Sequence, residues 1–164
     1  MTETPQIRDG SHDFDFLVGK WKVHHRILRS RLTGCTDWAE FDGTCTNENI
    51  MGGQANFDES LMERPVGAVR GMTLRLYNSQ TNEWKLYWAA TGSAVFDIPM
   101  VGGFKEKNGD GEFYAQETNN GFTVYSRFIW SKITPTSCQW EQALSNDGGK
   151  TWETNWVMEF TRTQ

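Results

Sequence analysis

From residue 20 onward, apolar and polar residues alternate with a period of two, in short runs separated by turn-forming clusters. That period sends successive side chains to opposite faces of a strand, whereas a helix needs 3.6. The breakers are Thr33-Gly34, Met51-Gly52-Gly53, Arg64-Pro65-Val66-Gly67, residues 78–82, Asn108-Gly109-Asp110-Gly111, Asn119-Asn120-Gly121, Thr134-Pro135 and residues 145–151. Between them the pattern predicts strands over 20–30, 37–49, 53–63, 69–77, 83–91, 101–107, 111–118, 122–131, 136–145 and 151–162. No segment carries a helical stripe of three turns. Short strands repeating every roughly 10–12 residues point to an all-β sandwich or barrel. Short connections make sequence neighbours spatial neighbours, so the simplest arrangement is an antiparallel up-and-down barrel of 8–10 strands. Closing it leaves no exposed strand edge.

The chain of 164 residues suits a single domain. Residues 13–164 are assigned to that domain, beginning with one short helical turn over 12–18 that Gly19 ends, and residues 1–12 to a disordered tail.

Eight Trp and ten Phe need either a large core or a cavity to line. Their parity predicts strand registers. If residues 145–151 form the last hairpin loop, Leu144 faces Trp152, Gln142 faces Thr154 and Trp140 faces Trp156. The inner face is then Cys138, Trp140, Gln142 and Leu144 with Trp152, Thr154, Trp156, Met158 and Phe160, since burying each ring is worth about 2 kcal/mol. The same reasoning pairs Met72, Leu74 and Leu76 with Trp84, Leu86 and Trp88. It also puts Val124, Ser126, Phe128 and Trp130 inside, with Trp21, Val23, His25 and Ile27 from the first strand.

Gly19-Lys20-Trp21 is the Gly-x-Trp that opens the first strand of lipocalins and their calycin relatives. With the stretches HDFDFLVGKWKVHHRIL, WAEFDGTC, TLRLYN and RFIWSKITPTSCQWEQALSNDGGKTWETNWVMEFTR, residues 12–162 resemble a bacterial calycin-like (lipocalin-like) family classed as a domain of unknown function. The resemblance implies a β-barrel with an internal cavity. It brings no reaction and no catalytic residues, so no site residue follows from it.

Residues 145–152, SNDGGKTW, match the Asp-box known from sialidases. A sialidase propeller repeats such units blade by blade, and this chain has one copy and no internal period. The string therefore reads as a hairpin turn: Ser145 and Asp147 bond loop amides, a glycine takes positive φ, and Trp152 anchors the loop to the core.

A net charge of −5 supplies no basic field for nucleic acid or an anionic membrane surface. No run of 18 apolar residues and no secretory leader pattern occurs. Three cysteines, Cys35, Cys45 and Cys138, have no CxxC spacing, so a reducing, cytoplasmic setting is expected and no zinc site.

His24 and His25 point to opposite faces, so they cannot share one ion; His25 is expected inside. Glu40 and Asp42 share a face with Trp38, and are expected outside because Phe41 and Cys45 make better core. Arg127 and Glu141 fall opposite the Trp faces, as a rim ion pair; a one-residue slip would turn both inward as polar ligand contacts.

The reading that follows is a barrel that binds a small, largely apolar or aromatic molecule. Trp88, Trp130, Trp140 and Trp156 form the walls, and His25, Ser126 and Gln142 the polar contacts. The alternatives are an acid–base enzyme in the same barrel, with His25, Glu40 or Glu141 as base, haem held by His25, or a filled barrel serving a homodimer. No cofactor is indicated by any motif.

Overall fold

A computed structural model describes residues 8–164. Ten strands follow a short 3₁₀ turn at Asp15–Leu17. They are β1 (Gly19–Leu28), β2 (Trp38–Ile50), β3 (Ala55–Arg64), β4 (Gly67–Asn78), β5 (Glu83–Ala90), β6 (Met100–Phe104), β7 (Gly111–Asn119), β8 (Phe122–Ser131), β9 (Ser137–Ser145) and β10 (Glu153–Arg162). Each pairs antiparallel with its sequence neighbour, and β1 closes on β10 to complete an up-and-down barrel. Among the described residues no helix is long and apolar enough to cross a membrane.

One end of the barrel is plugged. Phe14, from the segment before β1, meets Trp84 edge-on at 5.0 Å and Phe104 at 5.2 Å. Trp21 donates its indole N–H to Leu17 O at 2.8 Å, and Trp84 donates to Gly10 O at 3.0 Å. These large rings contribute most of the apolar burial here, and their N–H groups are satisfied by the incoming chain. Gly19 takes φ +130°, and a Cβ there would lie 2.4 Å from Arg162 Nη1. That room lets the Arg162 guanidinium lie 4.1 Å over the Trp21 ring and donate to Val18 O and Phe16 O. The Gly-x-Trp element thus closes the barrel base. Of the tail expected over 1–12, residues 1–7 lie outside the described residues. Residues 8–12 are docked instead: Gly10 N–H donates to Tyr77 and Asn82, and Arg8 pairs with Asp13 at 2.6 Å.

Two registers differ from the sequence expectation. On β10 a bulge at Asn155 shifts the pairing, so Trp140 faces Met158 and Trp156 faces Gln142, while Leu144 faces Glu153. Trp156, Met158 and Phe160 stay inside. Trp152, beyond the bulge, packs on the outer surface against Arg127 at 4.5 Å and Tyr114 at 6.1 Å. One extra residue in a strand inverts the parity beyond it.

On β4 the inner set is Gly71, Thr73, Arg75 and Tyr77, not Met72, Leu74 and Leu76. Thr73 faces Trp88, and Arg75 faces Leu86. Leu74 lies between Phe57 and Tyr87 in an outer cross-strand row that Phe96 extends. That row covers the apolar side chains without bringing them into the barrel. Gly71 makes room for an inner ring: a Cβ there would lie 2.0 Å from Trp88 Cη2.

Candidate functional site

Above the plug the barrel encloses a cavity of about 260 Å³ that opens at the other end, where Arg31 of the β1–β2 loop and Asp97 and Ile98 of the β5–β6 loop reach it. His25, Trp88, Ser126, Trp130, Trp140, Gln142 and Trp156 all line this one cavity. Alternation on β1, β8 and β9 brings His25, Ser126, Trp130, Trp140 and Gln142 together, while Trp88 comes from β5 and Trp156 from β10 on the inner side of its bulge.

The aromatic wall comes from β8, β9, β10 and β1. Trp140 meets Trp156 edge-on at 5.5 Å and Phe128 at 4.8 Å. The His25 ring stacks on Phe41 at 4.7 Å, inclined by 14°. Trp156 Nε1–H donates to His25 Nδ1 at 3.2 Å. His25 is only 2% exposed, and burial, helped by the Arg64 and His24 charges, pushes its pKa down to about 4. At neutral pH it is therefore an uncharged imidazole. Since Nδ1 accepts from Trp156, the proton sits on Nε2. That atom lies over Gly43, where a Cβ would come within 3.2 Å of it. Gln142 donates to Asn155 Oδ1 at 2.8 Å, so the bulge residue holds the amide in place.

The opposite wall is polar and comes from β3 and β4. Asp58 and Arg75 form an ion pair at 2.6 Å, with their side chains 5% and 4% exposed. Arg75 also donates to Asn56 Oδ1 at 2.9 Å, and Asn56 and Asn47 exchange two amide hydrogen bonds of 2.8 Å. The guanidinium lies 5.0 Å over Phe14 and 5.9 Å from the Trp130 ring, so this pair stands at the cavity floor. Ser60 and Thr73 continue the polar wall upward. The sequence reading missed Asp58 and Arg75. The available signal was the register of the β3–β4 hairpin, which puts Asp58 opposite Thr73 and Arg75 opposite Asn56, so that the two charges lie diagonally on one face.

Glu40 and Asp42 lie outside and hold His24, which bonds Asp42 Oδ1 at 2.8 Å and Glu40 Oε1 at 3.0 Å. The bond to Asp42, then that to Glu40, raises the His24 pKa. Arg127 and Glu141 also face outward. Among the described residues they form no ion pair with each other: Arg127 lies under Trp152 and Glu141 accepts from Gln139 at 3.1 Å. Burial raises the thiol pKa of both Cys45 and Cys138, the latter to about 12. Both are unreactive thiols at neutral pH.

SNDGGKTW forms the β9–β10 turn. Asp147 accepts from Thr151 N at 2.9 Å, and Gly149 N donates to Ser145 Oγ at 2.9 Å. Gly148 and Gly149 take φ +75° and +84°.

No family model matches the chain, and no curated protein sequence does. Among solved structures the chain is similar to the S-type phycobiliprotein lyase CPES from Guillardia theta. The TM-score is 0.62 over 98% of this chain and 99% of that one, at 13% sequence identity. At that identity the likeness concerns the fold, which is a calycin-like, lipocalin-like barrel of ten antiparallel strands.

Proposed function

We propose that this protein binds a small, flat, largely aromatic molecule in the barrel cavity, admitted through the open end. The observation that carries the reading is the cavity of about 260 Å³ walled by Trp88, Trp130, Trp140 and Trp156. An apolar pocket with a few directed polar groups is the usual form of a small-molecule site. The role of a barrel of the same fold as a phycobiliprotein lyase lends support. The homodimer reading presupposed a filled interior, and the cavity favours ligand binding over it. The three free cysteines support a reducing, cytoplasmic setting as part of the proposal.

The acid–base and haem readings draw less support. The unprotonated nitrogen of His25 is occupied by Trp156, and Nε2 lies against the strand at Gly43. Glu40 and Glu141 are outside the barrel.

The test is titration with a neutral fluorogenic ring compound, N-phenylnaphthylamine, read as energy transfer from Trp. Saturable transfer is expected. Trp140→Ala should weaken binding about tenfold, which is ~1.4 kcal/mol. Trp88→Ala, at a half-buried position, gives the same readout with less risk to folding. Absence of saturable transfer in the folded wild-type protein refutes the proposal.

A further inference from the structure

The cavity mouth is electrically lopsided. In the ring of strands, β1, β2 and β3 are adjacent and stand across the barrel from β6, β7 and β8. Arg31, in the β1–β2 loop, and Arg64, at the end of β3, are on the first side. Asp97, just before β6, and Glu117, on β7, are on the other.

Arg64 is half-buried. Its guanidinium lies 5.7 Å over the Phe41 ring and 5.8 Å over the Trp156 ring, and its Nε is buried with no hydrogen-bond partner. Among the described residues it belongs to no ion pair. Arg31 reaches the cavity from the same side, and there partial desolvation, then the Arg64 charge, lower its pKa while Glu153 raises it. The neighbouring carboxylate, Glu153, accepts the Leu32 N–H at 2.7 Å and its charge acts on Arg31, while Arg29 is paired with Asp37. The Arg64 guanidinium is thus held on aromatic surface beside a second arginine, with a buried donor left open, and Glu153 offsets only one of the two positive charges, so a further anion is favoured there.

The floor has the opposite character. Arg75 is neutralised by Asp58 at 2.6 Å. What remains there are two buried N–H donors without partners, Arg75 Nε and Trp130 Nε1. A second carboxylate at the floor would face Asp58, so the floor favours a neutral acceptor such as a carbonyl oxygen.

We propose that Arg31 and Arg64 form an anion seat at the mouth, and that the ligand is an aromatic acid whose carboxylate or similar anionic group stays there while its ring system enters the cavity. This rests on the binding reading above and names the ligand class. The ring lies between the Trp140–Trp156 wall and the Ser60–Thr73 wall. A ring system that also carries a carbonyl at its far end satisfies the floor.

The experiment compares two probes with the same aromatic skeleton, neutral N-phenylnaphthylamine and its anionic analogue anilinonaphthalene sulfonate. Both are read by energy transfer from Trp at low salt. The anionic probe should bind about tenfold tighter, with the preference shrinking as salt rises. Arg64→Gln should remove the preference by weakening the anionic probe about tenfold while leaving the neutral one unchanged, and Arg64→Lys should restore part of it. Thermal unfolding of each variant reports whether it is folded. Equal affinities, or a preference that survives in the Arg31→Gln/Arg64→Gln protein, overturn the anion seat while leaving the cavity reading intact. A wild-type protein that binds neither probe overturns the cavity reading, and the anion seat with it.

Discussion

Replacing Asp58 by leucine removes the counter-charge of Arg75 inside the barrel. Both side chains are almost wholly buried and 2.6 Å apart. A charge left unpaired in such a place costs about 3–5 kcal/mol. In a chain of this size each kcal/mol moves the midpoint by about 2–4 °C. Asp58→Leu alone, or Arg75→Met alone, should therefore lower the melting temperature by roughly 6–20 °C. Asp58→Leu/Arg75→Met leaves no charge behind. Asn56 still accepts from Asn47 at 2.8 Å and donates to Asn49 at 2.9 Å, so no amide is orphaned. The double variant should lose no more than about 1 kcal/mol, because well-packed apolar residues can replace a buried ion pair at little net cost. Thermal and urea unfolding by circular dichroism measure all four proteins. The two single effects should sum to far more than the double effect. If they simply add, the pair is not coupled as the geometry requires, and the account of the cavity floor is wrong.

Other expected outcomes follow from single contacts. The folded His25 pKa of about 4 lies below the unfolded value near 6.5, so the unfolded state takes up the proton first. The stability this residue contributes is full above pH ~6.5 and lost as pH falls to about 4, by about 3 kcal/mol in all. His25→Gln should flatten stability over that window, and an unchanged acid slope would contradict the neutral, buried imidazole. Gly71→Ala puts a methyl where Trp88 Cη2 now lies, 2.0 Å away, so the indole must move. Near-ultraviolet circular dichroism should change and stability should fall by about 1–3 kcal/mol; an unaltered spectrum would refute the packing. Asp147 is held down to about 2 by its bonds from the Thr151 hydroxyl and amide and from Ser145. The contribution of the turn bonds is present above pH ~4 and lost as pH falls through about 2. In Asp147→Ala, amide exchange at Thr151 should rise roughly fivefold, with Met158 unaffected; equal changes at both would mean the turn is not a local unit.

Much of this was legible without coordinates, and the gaps have identifiable causes. On β1 Trp21, Val23 and His25 alternate with Lys22, His24 and Arg26, and on β8 Phe128 and Trp130 share one parity, so one register buries the larger rings. The inner faces of Trp21, Val23 and His25, and of Ser126, Phe128 and Trp130, follow from that. β4 offers no such contrast. Met72, Leu74 and Leu76 alternate with Thr73, Arg75 and Tyr77, and apolar weight alone favours the wrong face. The observed face is settled by partners on another strand, since Arg75 meets Asp58 and Asn56 of β3 while Leu74 finds cover between Phe57 and Tyr87. The Asn155 bulge is equally silent in sequence. Nothing in Glu153-Thr154-Asn155-Trp156 marks an extra residue, and its effect was to put Trp152 outside under Arg127.

By itself, the sequence determined an antiparallel meander of 8–10 strands, the turns, a first strand opened by Gly-x-Trp, and an aromatic inner wall, because periodicity and turn chemistry are local; that the segment before β1 docks as a plug came from the structure. Only the tertiary structure decided that the opposite wall is polar, that an ion pair stands at the floor, and that two arginines share the mouth. Those features depend on which charges meet across strands far apart in the chain, and a charge is tolerated in a barrel only where its partner is.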